Sequence, residues 1–309
     1  MFDYMRKIAL IFIISLSLPL IACSSTNVNK INTNALESNK QESIENSEII
    51  QEEKSAQNNI DSLIKTTPKE VNKNILIVGI DARRDENARA DTMILVNMRS
   101  DKINLISVPR DTLIKINGKG TQKINASYAY GGIELCKTSV EKLLDTKIDN
   151  YLVFNFKAIQ KGVDALGGFT VTIPKTIKIR DPELKKCFTL KKGDLKLNGI
   201  QTLEYLRYRS DGRGDIGRIY RQQEFIKDLQ DSFLKLENVP LIPKAYLAIR
   251  DEIKTDMDAS HMASYFISGY RLRNNFDYHT LKGYGKFIDK VSYYVLYKSS
   301  INEIKEILK

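Results

Sequence analysis

Residues 207–223, RYRSDGRGDIGRIYRQQ, hold five arginines (Arg207, Arg209, Arg213, Arg218, Arg221), Gln222, Gln223 and three glycines. Guanidinium groups present planar forks of donors that match phosphate oxygens. Crowding them is costly, because two of them ~6 Å apart at an effective dielectric of ~20 repel by roughly 3 kcal/mol. Either neighbouring carboxylates (Glu204, Asp211, Asp215, Glu224) or an anionic ligand must offset that repulsion. From residue 216 onward Ile219, Ile226, Leu229, Phe233 and Leu236 recur at helical spacing, so the pattern predicts a helix. Arg218, Arg221 and Gln222 then share a face near its start, where free N–H groups and the helix dipole favour an anion. The placement favours phosphate over a salt-bridged surface.

Three further places put charge at predicted strand ends. Asp81 follows an apolar run in GIDAR (79–83), Asp91 opens the next run in RADT (89–92), and Arg110 and Asp111 close a third in SVPRDT (107–112). Carboxylates without histidine or cysteine nearby suit a hard cation such as Mg²⁺ or Mn²⁺. Any one of these aspartates alone reads as a loop cap. Together with the arginines they suggest phosphoryl transfer, in which a metal and cationic clamps stabilise charge.

The elements that must position these groups are legible as an alternation of strands and helices. Residues 74–79, 92–98 and 103–108 read as buried strands, with a turn at 99–102 and Pro109 ending the third. A glycine-containing loop follows, then helices at 133–144, 156–166 and 198–206, with strands at 151–154 and 169–173. Beyond Pro240 and Pro243 the pattern predicts helices at 244–250, 259–272 and 300–308 and strands at 279–281 and 291–297. The fold class is therefore α/β, a mixed central β-sheet flanked by helices, in a single domain.

Length and charge bound the partners. Of a net charge of +10 over 309 residues, residues 24–72 contribute −3 and residues 1–23 contribute +1, which leaves +12 on residues 73–309. A basic domain expects an acidic partner. Arg6 and Lys7 precede the apolar run 8–18, and LIAC (20–23) follows, a signal-like segment ending in cysteine. Whether it is cleaved and lipidated at Cys23 or kept as an N-terminal anchor, the remainder is placed outside the cytoplasmic membrane. Nucleic acid is then an unfavoured partner, and no DNA-binding signature argues for one. Residues 24–72, rich in Asn, Ser, Glu, Gln and Lys, read as a disordered polar tether, leaving 73–309 as the folded domain. Cys136 and Cys187 could pair in an exported protein or stand as two free thiols.

GIDAR, RADT, SVPRDT, KINASYAYGG (123–132) and the arginine stretch, in this order and spacing, resemble the LytR-CpsA-Psr family of bacterial cell-wall enzymes. LIAC similarly resembles a lipoprotein lipobox, with Cys23 as the lipidation site and the cytoplasmic membrane's outer face as the address. The family resemblance covers residue 74 to the C-terminus and implies a three-layer catalytic domain. It implies a phosphotransferase that moves an anionic glycopolymer (wall teichoic acid, capsular or secondary wall polysaccharide) from an undecaprenyl-pyrophosphate carrier to a muramic-acid hydroxyl of peptidoglycan. By the same resemblance Asp81 and Asp91 would hold Mg²⁺, and Asp91 would accept the hydroxyl proton. Arg89, Arg110, Arg207, Arg209, Arg218 and Gln222 would grip the pyrophosphate, with Arg110 also counted as catalytic. Arg83, Arg213 and Arg221 would stand behind them or in surface pairs. Many relatives carry an N-terminal transmembrane helix where this chain has its lipobox-like segment. Two other readings are a metal-dependent hydrolase of the same lipid pyrophosphate and a non-catalytic lipoprotein that binds wall polyanions.

Overall fold

Three aliphatic runs near the start of the folded part build the centre of a sheet: β1 (Lys73–Ile80), β2 (Ala90–Met98) and β3 (Ile103–Ser107). The computed structural model describes residues 72–80, 88–173, 175–181, 186–208, 242–272 and 274–309. After β3 come a small hairpin, β4 (Leu113–Ile116) and β5 (Gly120–Lys123), then helix α1 (Ala126–Leu144), β6 (Asn150–Asn155) and α2 (Phe156–Ala165). Four short strands follow, β7 (Phe169–Ile173), β8 (Ile177–Asp181), β9 (Lys186–Leu190) and β10 (Gly193–Leu197), and lead into α3 (Gly199–Arg207). The C-terminal part holds α4 (Ile242–Ile249), β11 (Ile253–Thr255), α5 (Ala259–Arg271), β12 (Phe276–Thr280), β13 (Gly283–Ile288), β14 (Val291–Leu296) and α6 (Lys298–Leu308).

The main sheet has the order β11-β6-β1-β2-β3-β12. β1 pairs parallel with β6 and β3 with β12, whereas β1–β2, β2–β3 and β11–β6 are antiparallel, so the sheet is mixed. Its central strands are buried on both faces, and successive side chains therefore feed two separate cores. Ile75, Ile77, Ile94, Val96 and Leu105 join one core with residues of α2, α4, α5 and the β7–β10 strands. Leu76, Val78, Met93, Leu95 and Ile106 join the other with Ile133, Cys136, Val140 and Leu144 of α1 and Ile304 and Leu308 of α6. The result is three layers, the expected architecture.

One row of polar side chains crosses this apolar sheet. Asn74, Asn97 and Asn104 are ladder partners on β1, β2 and β3. The Asn97 amide lies 2.7 Å from that of Asn74 and 2.9 Å from that of Asn104, and His279 Nε2 on β12 is 3.3 Å from Asn104 Oδ1. Asn74 also donates to Thr146 Oγ1 and to the Lys147 carbonyl. Buried amides need such partners, and here they find them in one another.

The alternation of strands and helices needs a correction between residues 113 and 197. The glycine-containing loop is the β4–β5 hairpin, turned through Gly118 and Gly120, both at positive φ. β8 and β9 form another hairpin, and β10 pairs antiparallel with β7. Helix α1 begins at Ala126, earlier than its apolar periodicity indicates, and is bent at Gly131–Gly132, where Gly132 has φ 60°. Cys136 and Cys187 are unpaired, the first buried and the second exposed. The helix expected from residue 216 lies outside the described residues.

Candidate active site

The antiparallel register of β2 against β3 places the first charges. The last ladder pair is Ile94 with Ser107, and Asp91 and Arg110 each lie three residues beyond it, so the two ends of the hairpin carry an acid opposite a base. Arg110 Nη1 donates to Asp91 Oδ1 at 2.8 Å. Pro109 starts a turn closed by a bond from Thr112 N–H to the Pro109 carbonyl at 3.0 Å, which projects Arg110 and Asp111 off the sheet. Arg110 Nε lies 3.8 Å from Asp111 Oδ2, and Lys123 Nζ at the end of β5 lies 2.8 Å from Asp111 Oδ1. Lys123, Asp111, Arg110 and Asp91 thus form a chain of alternating charge.

Backbone bonds from two other segments hold this turn. Asn125 N–H donates to the Arg110 carbonyl at 3.1 Å, Ile124 N–H to Thr112 at 2.8 Å, and Tyr294 N–H on β14 to Asp111 at 2.8 Å. Ala90 N–H in turn donates to the Asn125 carbonyl at 3.3 Å, which ties the start of β2 to the start of α1. Thr112 Oγ1 and Asn125 Oδ1 are buried in this knot without a hydrogen-bond partner among the described residues. At the end of β1 a side chain on Gly79 would meet Phe154 and Thr92 at 3.0 Å, so glycine lets β6 close over that strand end.

Asp91 and Arg110 are each a little over one-third exposed, open to a ligand yet held by the surrounding backbone. Arg89, two residues before Asp91, is exposed and makes no ion pair among the described residues. Lys123 was not singled out for a role in the sequence. Its signal was its position heading the KINAS run, but only the β4–β5 pairing brings it to Asp111. Arg207 closes α3. That helix starts with a capping box between Asn198 and Gln201, and Gly199 N–H donates to Asp164 Oδ1 of α2 at 2.7 Å. Asp81, Arg83, Arg209, Arg213, Arg218, Arg221, Gln222 and Cys23 lie outside the described residues.

Chemically, Arg110 and Lys123 offer donors matched to phosphate oxygens, and Asp91 offers carboxylate oxygen to a hard cation or to a proton. Among the described residues no three carboxylate, histidine or cysteine side chains gather closely enough to hold a metal by themselves. The donor set at Asp91, oxygen only and open to solvent, fits Mg²⁺ in kind, since that ion takes few protein ligands and keeps several waters.

A Bacillus subtilis protein named polyisoprenyl-teichoic acid–peptidoglycan teichoic acid transferase TagU is 33% identical over 239 residues, which span 76% of each chain. The solved structure of B. subtilis TagV superposes with a TM-score of 0.63 at 25% identity, covering 78% of this chain and 97% of that one. A structure described as TagT bound to LIIa-WTA superposes with a TM-score of 0.60 at 28% identity, covering 78% and 91%. The sequence pattern of the LytR_cpsA_psr family matches residues 27–309. The chain belongs to the LytR-CpsA-Psr family.

Proposed function

We propose that this protein transfers an anionic glycopolymer from an undecaprenyl-pyrophosphate carrier to a muramic-acid hydroxyl of peptidoglycan. The observation that carries the reading is the acid–base pair Asp91–Arg110, held at 2.8 Å at the open ends of β2 and β3 with Lys123 beside it. It is supported by the name of the B. subtilis relative and by the wall-polymer ligands named for the TagT structures.

In this reading the acceptor hydroxyl attacks the phosphorus that carries the polymer. A new P–O bond forms to the acceptor, the bond to the bridging oxygen breaks, and undecaprenyl phosphate leaves. Asp91 accepts the hydroxyl proton. Arg110 and Arg89 neutralise the diphosphate, joined by Arg207, Arg209, Arg218 and Gln222 from the arginine stretch, with Arg83 and Arg221 behind them, while Lys123 steadies Asp111 beside Arg110. Asp81 and Asp91 would hold Mg²⁺, which supplies charge neutralisation to the phosphate oxygens. The protein works on the outer face of the cytoplasmic membrane, tethered through Cys23 and residues 24–72.

The test is transfer by the purified full-length chain from a lipid-pyrophosphate-linked saccharide, with and without peptidoglycan fragments and with and without a chelator. Saccharide joined to muramic acid through a phosphodiester, formed only with acceptor, is the expected result. Equal release with and without acceptor would make the protein a hydrolase. Release unaffected by the chelator would remove the metal from the scheme.

A further inference from the structure

Among the described residues, the hairpin of β13 and β14 and its flank gather most of the exposed large apolar side chains. Six large apolar side chains are conspicuously exposed among the described residues, and four of them, Tyr284, Phe287, Val291 and Tyr297, sit on this hairpin or next to it. Phe287 is 76% exposed. Residues 282–298 also carry four lysines against one acid, Asp289. Aromatic and aliphatic groups interleaved with lysines match the water–hydrocarbon boundary of a bilayer, where rings settle among headgroups and ammonium groups meet lipid phosphates.

The turn adds an independent observation. Asp289 and Lys290 both have positive φ, 47° and 65°, the geometry of a two-residue turn in which glycine at the second position is strongly favoured. A lysine there bears a steric cost that glycine would not. Fold stability gives no reason for that lysine, whereas an anionic surface beyond the tip does. The other end of the hairpin reaches the candidate active site, because β14 touches the turn beyond β3 through a bridge between Thr112 and Tyr294 and through the Tyr294–Asp111 bond. Val291 lies three residues from Tyr294, so the tip is roughly 10 Å from that turn.

We infer that the β13–β14 tip is a membrane-docking element that seats Phe287 and Val291 in the interface of an anionic bilayer and sets Lys286 and Lys290 against its phosphates. The inference rests on the proposed use of a lipid-linked substrate, since it explains how Arg110 is brought to a diphosphate at the membrane surface. A carbohydrate partner fits less well, because sugar platforms surround aromatic rings with amide and carboxylate hydrogen-bonding groups, and this tip offers mainly ammonium.

The chain contains no tryptophan, so Phe287→Trp gives a single tryptophan at the tip, which can be excited at wavelengths beyond tyrosine absorption. Full-length F287W is mixed with phosphatidylcholine vesicles, with or without phosphatidylglycerol, carrying acyl-chain bromines. A matched Leu247→Trp chain serves as control for membrane delivery through the N-terminus. The expected result is blue-shifted emission and quenching for F287W but not for L247W, stronger with phosphatidylglycerol. In the F287W background Lys290→Gly should keep or raise the melting temperature yet weaken vesicle affinity, read from a quenching titration, about fivefold, the worth of one lysine at an anionic surface. Several outcomes would overturn the inference: equal quenching in both variants, none in F287W, a shift produced by peptidoglycan fragments alone, or one that needs no vesicles and grows with protein concentration. Transfer activity measured on the same F287W chain separates the two ideas: activity without quenching refutes the docking element alone, and quenching without activity refutes the proposed reaction alone.

Discussion

At the scale of single residues, the Asp91–Arg110 pair is too exposed to matter much for stability. Ion pairs of this kind contribute about 0–1 kcal/mol. Asp91→Asn and Arg110→Ala are therefore expected to melt near the parent temperature while lowering kcat/KM by about 10²–10³, the usual loss when a group stabilising transition-state charge is removed. Lys123→Ala should lose less, because its ammonium reaches Asp111 and not Asp91. A loss in Lys123→Ala equal to that in Arg110→Ala would mean that Lys123 meets the phosphates directly. The two thiols separate cleanly. Cys187 should react with a thiol reagent at once, and Cys136 only on unfolding. Burial pushes the Cys136 thiol up to about 11. Below pH ~9 it is protonated in the folded and the unfolded chain alike. Between about 9 and 11 only the unfolded chain releases the proton, so stability falls as pH rises through that window. Urea midpoints measured across it should drop in the parent and stay flatter in Cys136→Ala.

At the scale of elements, helix α3 depends on one glycine. A side chain at Gly199 would run into the Gln160 carbonyl of α2 and lie 2.8 Å from Asp164 Oδ2. Gly199→Ala is expected to cost about 1–3 kcal/mol in a urea melt, because α2 or α3 must shift to admit a methyl group. Activity per folded molecule should also fall, since α3 delivers the chain into the arginine stretch at Arg207. What the sequence revealed and hid at this scale has a physical basis. β1, β2 and β3 are buried on both faces, so each carries a run of aliphatic residues that is legible. β4 and β5 are short and half-buried, LIKI against GTQK, and their lysines and glycines read as loop. Asn117-Gly118 between them was the usable signal, because Asn-Gly favours a hairpin. Missing that hairpin hid Lys123 as well, since its place beside Asp111 is a product of the pairing.

At the scale of the whole molecule, charge and address make separate demands. No helix among the described residues is long and apolar enough to cross a membrane. If Cys23 carries the lipid, Cys23→Ala should move the protein from the detergent phase to the aqueous phase in a phase-partition assay while leaving soluble-substrate activity unchanged. An uncleaved anchor would keep the variant in detergent. The site itself was legible as a set of residue types, but Asp91 meets Arg110 only through a register that no local pattern states. Aliphatic strands such as ILIV and MILV would tolerate a slip of two residues, since every side chain would return to its own face. The row of Asn74, Asn97 and Asn104 forbids it: after such a slip each amide would sit among methyl groups with its partners gone, at roughly 1–3 kcal/mol apiece. These asparagines lie at the far end of the strands from Asp91, some 20 Å away at ~3.4 Å per residue. They work as an index pin does in a machine, engaging at one end of the slide so that two parts meet true at the other.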